Sequence, residues 1–120
     1  MAFMFENLKV YQKAVDLAEL TSSLSESFPR GFYYLTDQLN RAALSVSTNI
    51  AEGNGRFTKA DRKKYFIIAR GSVQECVPIL EVCRRRKLIS DQQASGLKAD
   101  LEENSKMISG LINGLENRKV

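Results

Sequence analysis

The sequence predicts an all-α fold, one domain over residues 1–120 built as an antiparallel, up-down-up-down four-helix bundle. Three observations carry that expectation. Apolar residues recur in steps of three and four along four long stretches, the spacing that lays one stripe on a helix. Only two prolines and seven glycines interrupt 120 residues, and the β-branched residues are scattered rather than gathered into alternating runs. The connections between stretches are short, which forces consecutive helices to run antiparallel. A chain of this size buries roughly two thirds of its unfolded surface, enough for one core and not for two. Its 43% apolar and 27% charged residues are those of a folded chain rather than a disordered one.

The first helix is expected over 8–27. Val10, Ala14, Leu17, Thr21, Leu24 and Phe28 form its stripe, with Lys13, Asp16, Glu19 and Glu26 between them. Phe28, Pro29, Arg30 and Gly31 end it, since proline restricts the residue before it and glycine permits a turn. The second helix, 33–53, carries Leu35, Leu39, Ala42, Val46 and Ile50, and Gly53, Asn54 and Gly55 read as its stop and turn. Thr58 is the expected N-cap of the third helix, 59–87, whose stripe is Phe66, Ala69, Val73, Cys76, Leu80 and Cys83. At 1.5 Å per residue that helix spans about 40 Å, and Pro78 inside it predicts a bend near Gln74 rather than a break. Ser90 and Gln93 have capping-box spacing and open the fourth helix, 91–116, with Ala94, Leu97, Leu101, Ile108, Leu111 and Leu115 along its stripe. Residues 117–120 read as a frayed tail.

Several function classes are disfavoured. No apolar stretch approaches the roughly 20 residues that cross a bilayer, and the opening Met1, Ala2, Phe3, Met4 and Phe5 meets Glu6 with no basic region before it, so the reading is cytoplasmic, with no membrane partner. Cys76 and Cys83 stand seven apart on one helix, about 10 Å between Cα atoms, too far for a disulfide. They read as small core residues. With no histidine and no other cysteine, the usual soft-metal ligands are missing, and neither metal nor cofactor is expected. The same lack removes the commonest general base. Gly53, Asn54 and Gly55 follow a helix and lack the Lys-Ser/Thr ending of a phosphate loop, while Glu102 and Glu103 are helix neighbours that point apart. No enzyme is expected.

Charge is more informative. The net charge is +4, and an antiparallel bundle collects it at its ends. One end gathers Arg56, Lys59, Arg62, Lys63 and Lys64, expected near Lys9, Lys13, Arg118 and Lys119. The other holds Arg84, Arg85, Arg86 and Lys87 near Arg30, with Asp16, Glu19, Glu75, Glu81, Asp100, Glu102 and Glu103 spread between. Cations in the last turn of a helix are favoured by its dipole, so the 84–87 cluster has a structural reason to exist. At a helix start the dipole opposes cations, and only Asp61 offsets it, so the 59–64 cluster costs stability and suggests a use. On the second helix Arg41, Ser45, Asn49 and Glu52 line up at spacings of four, four and three, and Arg70, Gly71, Ser72 and Glu75 offer a similar surface on the third. These read as a solvated face, an internal ion pair or a seam between protomers.

The same residues carry a family likeness. Arg41, Ala42, Ala43, Ser45, Val46, the block Asn49, Ile50, Ala51, Glu52 and Gly53, then Gly55, Arg56, Phe66, Ala69, Arg70, Gly71, Ser72 and Glu75 closely resemble the signature of the four-helix bundle proteins encoded by intervening sequences in large-subunit ribosomal RNA genes. The opening Leu8, Val10, Tyr11, Gln12, Lys13 and Ala14 is similar too, with Tyr11 where the family often carries tryptophan. The resemblance implies a homo-oligomeric, pentameric ring like that of the accessory protein of diversity-generating retroelements, a basic pentamer that associates with nucleic acid and a reverse transcriptase. The expected function is therefore a non-enzymatic, oligomeric nucleic-acid-binding module that contacts phosphates through its basic patches with little sequence selectivity, its partners being itself, RNA or DNA, and a nucleic-acid enzyme. The alternative is an oligomeric adaptor for an acidic protein surface.

Overall fold

The computed structural model describes residues 3–117, and Arg118 and Lys119, expected at the first basic end, lie outside the described residues. Four helices follow in order: α1 (Lys9–Ser25), α2 (Tyr33–Asn54), α3 (Lys59–Arg85) and α4 (Asp91–Asn117), with single 3-10 turns at Met4–Asn7 and Arg30–Phe32. There is no strand among the described residues. The body measures 51 × 28 × 20 Å, as expected when helices of about 40 Å lie side by side.

Cross-helix contacts fix the directions. Lys63 reaches Glu116, Arg70 reaches Ser109 and Arg84 reaches Asp91, so α4 descends as α3 rises. Ser72 bonds Ser45, and Gly53 abuts Phe66, so α2 and α3 are also antiparallel. Asn40 Nδ2 donates to Ser25 Oγ at 2.9 Å, tying the start of α2 to the end of α1. Each helix packs only on the two beside it, in the order α1, α2, α3, α4 and back to α1; α2 and α3 share the most extensive contact.

The stripes on α2 and α3 close on one core with Val10, Ala14 and Leu17 of α1 and Leu97, Leu101, Ile108, Ile112 and Leu115 of α4. α1 stops at Ser25, short of the expected 27, so Phe28 lies beyond it; Leu24 and Phe28 are only partly buried, and Ser25 is buried instead. On α4, Ile112 takes the inner place expected of Leu111, and Asn104 is almost fully enclosed, its relative exposure being 2%. Asn104 completes the step Leu97, Leu101, Asn104, Ile108. Its Nδ2 donates to the Asp100 carbonyl at 2.9 Å, while its Oδ1 has no partner.

Helix ends follow local chemistry. Thr58 Oγ1 accepts from the Asp61 N–H at 3.1 Å, and Ser90 and Gln93 cap each other reciprocally at 2.9 and 3.0 Å. α3 runs unbroken past Pro78 and stops at Arg85, two residues before the expected end. Lys87 has φ 62°, and the Lys87 and Leu88 N–H groups close on the Arg84 and Cys83 carbonyls at 3.0 and 2.9 Å, a Schellman stop with lysine where glycine is usual. Gly53 departs further from expectation. It lies inside α2, which runs on to Asn54, and it is buried, so its role is close packing against α3 rather than a turn.

Candidate nucleic-acid interface

The basic start of α3 is built by the short α2–α3 connection. The Arg56 N–H donates to the Gly53 carbonyl at 3.2 Å, and the Arg56 carbonyl accepts from Arg62 Nε at 2.7 Å, which folds the connection back on the first turn of α3. The Arg56 guanidinium lies 4.6 Å over the Tyr65 ring, donates to the Tyr65 hydroxyl at 2.8 Å and pairs with Glu52 at 2.9 Å. Its Nε is buried without a partner. Lys64 Nζ also lies over the Tyr65 ring, 5.7 Å from its centroid. Lys63 pairs with Glu116 of α4, and Lys59, Ala60, Lys63, Leu115 and Glu116 line a groove of about 160 Å³.

Arg56, Lys59, Arg62, Lys63 and Lys64 are thus gathered on one end of the bundle, but not as five bare charges. Glu52 and Glu116 answer two of them directly, and Asp61 sits in the same first turn. Lys13 does not join them through a contact of its own. Its amine pairs with Glu103 of α4 at 2.5 Å, and the carboxylate raises the lysine pKa while its own falls. Around that pair Asp16, Asp100 and Asn104 line an acidic cleft of about 190 Å³, so part of the expected acidic waist is real.

At the opposite end the cations are held by the fold. Arg84 forms a fork with Glu81 at 2.9 Å and reaches Asp91 at 3.3 Å; Arg85 also binds Glu81 at 2.9 Å. Arg86 lies 5.0 Å over the Phe32 ring. Glu81, expected at the waist, therefore belongs to this end. Hydrogen bonds from Arg84 and then Arg85 hold its carboxyl down at about 2, from an ordinary 4.5. A depressed acid pKa contributes stability above the unfolded value of 4.5, and that contribution is lost as pH falls through about 2. Glu81→Gln should accordingly flatten the acid limb of unfolding stability between those two values. Denaturant midpoints at stepped pH check it; an acid limb as steep as in the unsubstituted protein would mean that the Arg84 and Arg85 contacts contribute nothing measurable.

The polar face divides into separate contacts. Ser72 Oγ meets Ser45 Oγ at 2.8 Å, and Asn49 Nδ2 donates to the Ser45 carbonyl and hydroxyl at 2.8 and 2.9 Å, making a small polar joint where α2 crosses α3. Arg41 pairs with Asp37 one turn back at 2.9 Å, and Glu52 with Arg56 one turn on. Arg70 faces away from α2 and donates to Ser109 of α4 at 3.1 Å; Glu75 is exposed. Sequence spacing groups these residues because it registers one helix at a time. Ser72, which the sequence places beside Arg70 and Gly71, stands one turn before Cys76 on the buried stripe; what spacing does not reveal is that its partner is Ser45.

Burial, and then Glu75, push the Cys76 thiol up to about 12; burial also raises Cys83. No group of three or more metal-ligating side chains converges among the described residues, and no helix among them is long and apolar enough to cross a membrane.

Residues 6–110 match the model of a family described as 23S rRNA-intervening sequence protein. The chain belongs to that family. The bundle is similar to a protein of unknown function from the S23 ribosomal protein family of Bacteroides thetaiotaomicron, with TM-score 0.81 and 23% identity over 87% of this chain and 95% of that one. At that identity the likeness speaks for the fold alone. No curated protein matches the chain.

Proposed function

We propose that the protein is a non-enzymatic nucleic-acid-binding module that contacts phosphates through the start of α3 with little base selectivity. One observation carries the reading: Arg56, Lys59, Arg62, Lys63 and Lys64 crowd the N-terminal end of a 27-residue helix, where the dipole disfavours cations. A surface kept basic against its own helix dipole suits an anionic partner, and the 23S rRNA in the family's name makes RNA the first to try. Binding should be electrostatic and fall steeply with salt. Fluorescence polarisation against structured RNA, single-stranded DNA and duplex DNA at several salt concentrations tests it; no binding to any of them at about 50 mM salt, where electrostatic binding is strong, would overturn it.

A second reading has its own support. Arg56 and Lys63 already hold carboxylates, Glu52 and Glu116, and a surface that exchanges carboxylate partners suits an acidic protein such as a nucleic-acid enzyme.

In either case we propose that the module acts in the cytoplasm as a homo-oligomeric ring. Phe3 and Met4 are exposed, Leu44 is 55% exposed, and Val15, Leu44, Phe5 and Tyr11 line an apolar groove between α1 and α2. Unpartnered apolar surface of this kind favours subunit contact. The number five rests on the family likeness. Sedimentation velocity at micromolar concentration should show a single species several times heavier than the 13.5 kDa chain; a stable monomer would sink the ring.

A further inference from the structure

Phe57 has no structural reason for its position. It is 94% exposed, the most exposed of the large apolar residues, and makes no ring or cation contact among the described residues. It directly precedes the N-cap Thr58, the place from which an apolar side chain can staple itself to the fourth helical residue. That residue is Arg62, whose Nε is engaged by the Arg56 carbonyl, so no staple forms.

The exposure does not come from a loose loop. Both neighbours of Phe57 are pinned: Arg56 through its N–H to Gly53, its carbonyl to Arg62 and its guanidinium on Tyr65; Thr58 through the Asp61 N–H. The ring is therefore displayed from a fixed backbone, on the same connection as Arg56 and at the end of the bundle where Lys59, Arg62, Lys63 and Lys64 open α3. A presented aromatic face set in a basic surface is the arrangement on which unpaired bases stack while their phosphates follow the cations. A duplex keeps its bases stacked on each other and offers no free face.

We infer that Phe57 is a stacking platform for an unpaired base, so that this end of the bundle takes single-stranded or looped nucleic acid in preference to duplex. The inference rests on the nucleic-acid reading above and adds the substrate class. Preorganisation favours it, because with the backbone on both sides already held, binding orders little beyond the two torsions of the ring itself.

The chain contains no tryptophan, so Phe57→Trp introduces a single indole at the site. Titration with a short adenine-rich single strand should quench its emission saturably, and a duplex of the same length should leave it nearly unchanged. Phe57→Ala should weaken single-strand binding about tenfold or more, with Phe57→Tyr restoring it and duplex affinity, melting and sedimentation unchanged. If the unsubstituted protein binds neither strand type, the nucleic-acid reading fails and takes this one with it. If it binds with the expected salt dependence but Phe57→Ala binds single strands equally well, only the stacking role is overturned. A blue-shifted, enhanced emission with phosphatidylserine vesicles and no response to oligonucleotide would assign the ring to a membrane surface and overturn the stacking role, as would a smaller sedimenting species for Phe57→Ala, which would assign it to a subunit contact.

Discussion

Gly53→Ala should destabilise the fold by up to about 2 kcal/mol net, against the usual sign for glycine in a helix. A methyl at this position would stand 2.7 and 2.8 Å from Phe66 Cε1 and Cδ1 and 3.1 Å from the Arg62 carbonyl oxygen. Phe66 is buried in the core and the Arg62 carbonyl belongs to the backbone of α3, so neither can yield without moving the helix. Helix propensity alone favours alanine by about 1 kcal/mol, which overpacking must exceed for the expected sign to hold. Gly110→Ala is the control: nothing lies within 4 Å of the added methyl, and the same propensity difference should stabilise by about 0.5–1 kcal/mol. Denaturant midpoints compared at constant slope decide it. Equal or greater stability for Gly53→Ala would show that Phe66 can turn aside and that close approach of α2 and α3 is not required.

Replacing Lys59, Arg62 and Lys63 together with glutamine should lower nucleic-acid affinity by about a hundredfold at about 0.1 M salt and make the plot of log affinity against log salt shallower by about 2. Without a cation to neutralise it, each phosphate keeps its condensed counterion on binding, and the three effects compound. On sequence alone the removal of these charges relieves an unfavourable dipole interaction of about 0.3–1 kcal/mol each, so stability is expected to hold or rise. Two interactions in the fold work against that gain: Lys63 with Glu116, and Arg62 with the Arg56 carbonyl. Because the first is half exposed and the second only partly buried, they return an amount of similar size, and melting should change little. The matched variant replaces Arg84, Arg85 and Arg86. It breaks the fork on Glu81 and the Phe32 stacking, so it should lose stability and affect binding less. Weakened binding in the second variant and full binding in the first would place the phosphate-contacting surface at the other end of the bundle.

Much of the architecture is legible in the sequence because periodicity and capping are local. The stripes on α2 and α3 need only the steps between Leu35 and Ile50 and between Phe66 and Cys83, and the Thr58 and Ser90 caps need only a residue type and a spacing of three. The 3-10 turns are less legible. The turn at Met4–Asn7 closes when Glu6 accepts from the Phe3 N–H at 2.7 Å, and Phe3 then stacks on Phe5, which meets Tyr11 edge to face, an arrangement that no helical period announces.

By itself, then, the sequence determined four amphipathic helices, their antiparallel order and a cationic helix start, since each depends on neighbours three or four positions away along one chain segment. Tertiary structure decided which charges remain available, because ion pairs such as Lys13 with Glu103 and Lys63 with Glu116 join residues far apart in the chain. It also decided that Gly53 serves packing rather than turning, that Arg70 faces Ser109 instead of the Ser45 joint, and that Asn104 enters the core. The physical reason is common to all of them. Spacing fixes the face of a helix on which a side chain stands, whereas its partner depends on the rotation and axial offset of the next helix, which only the packing of the whole core sets.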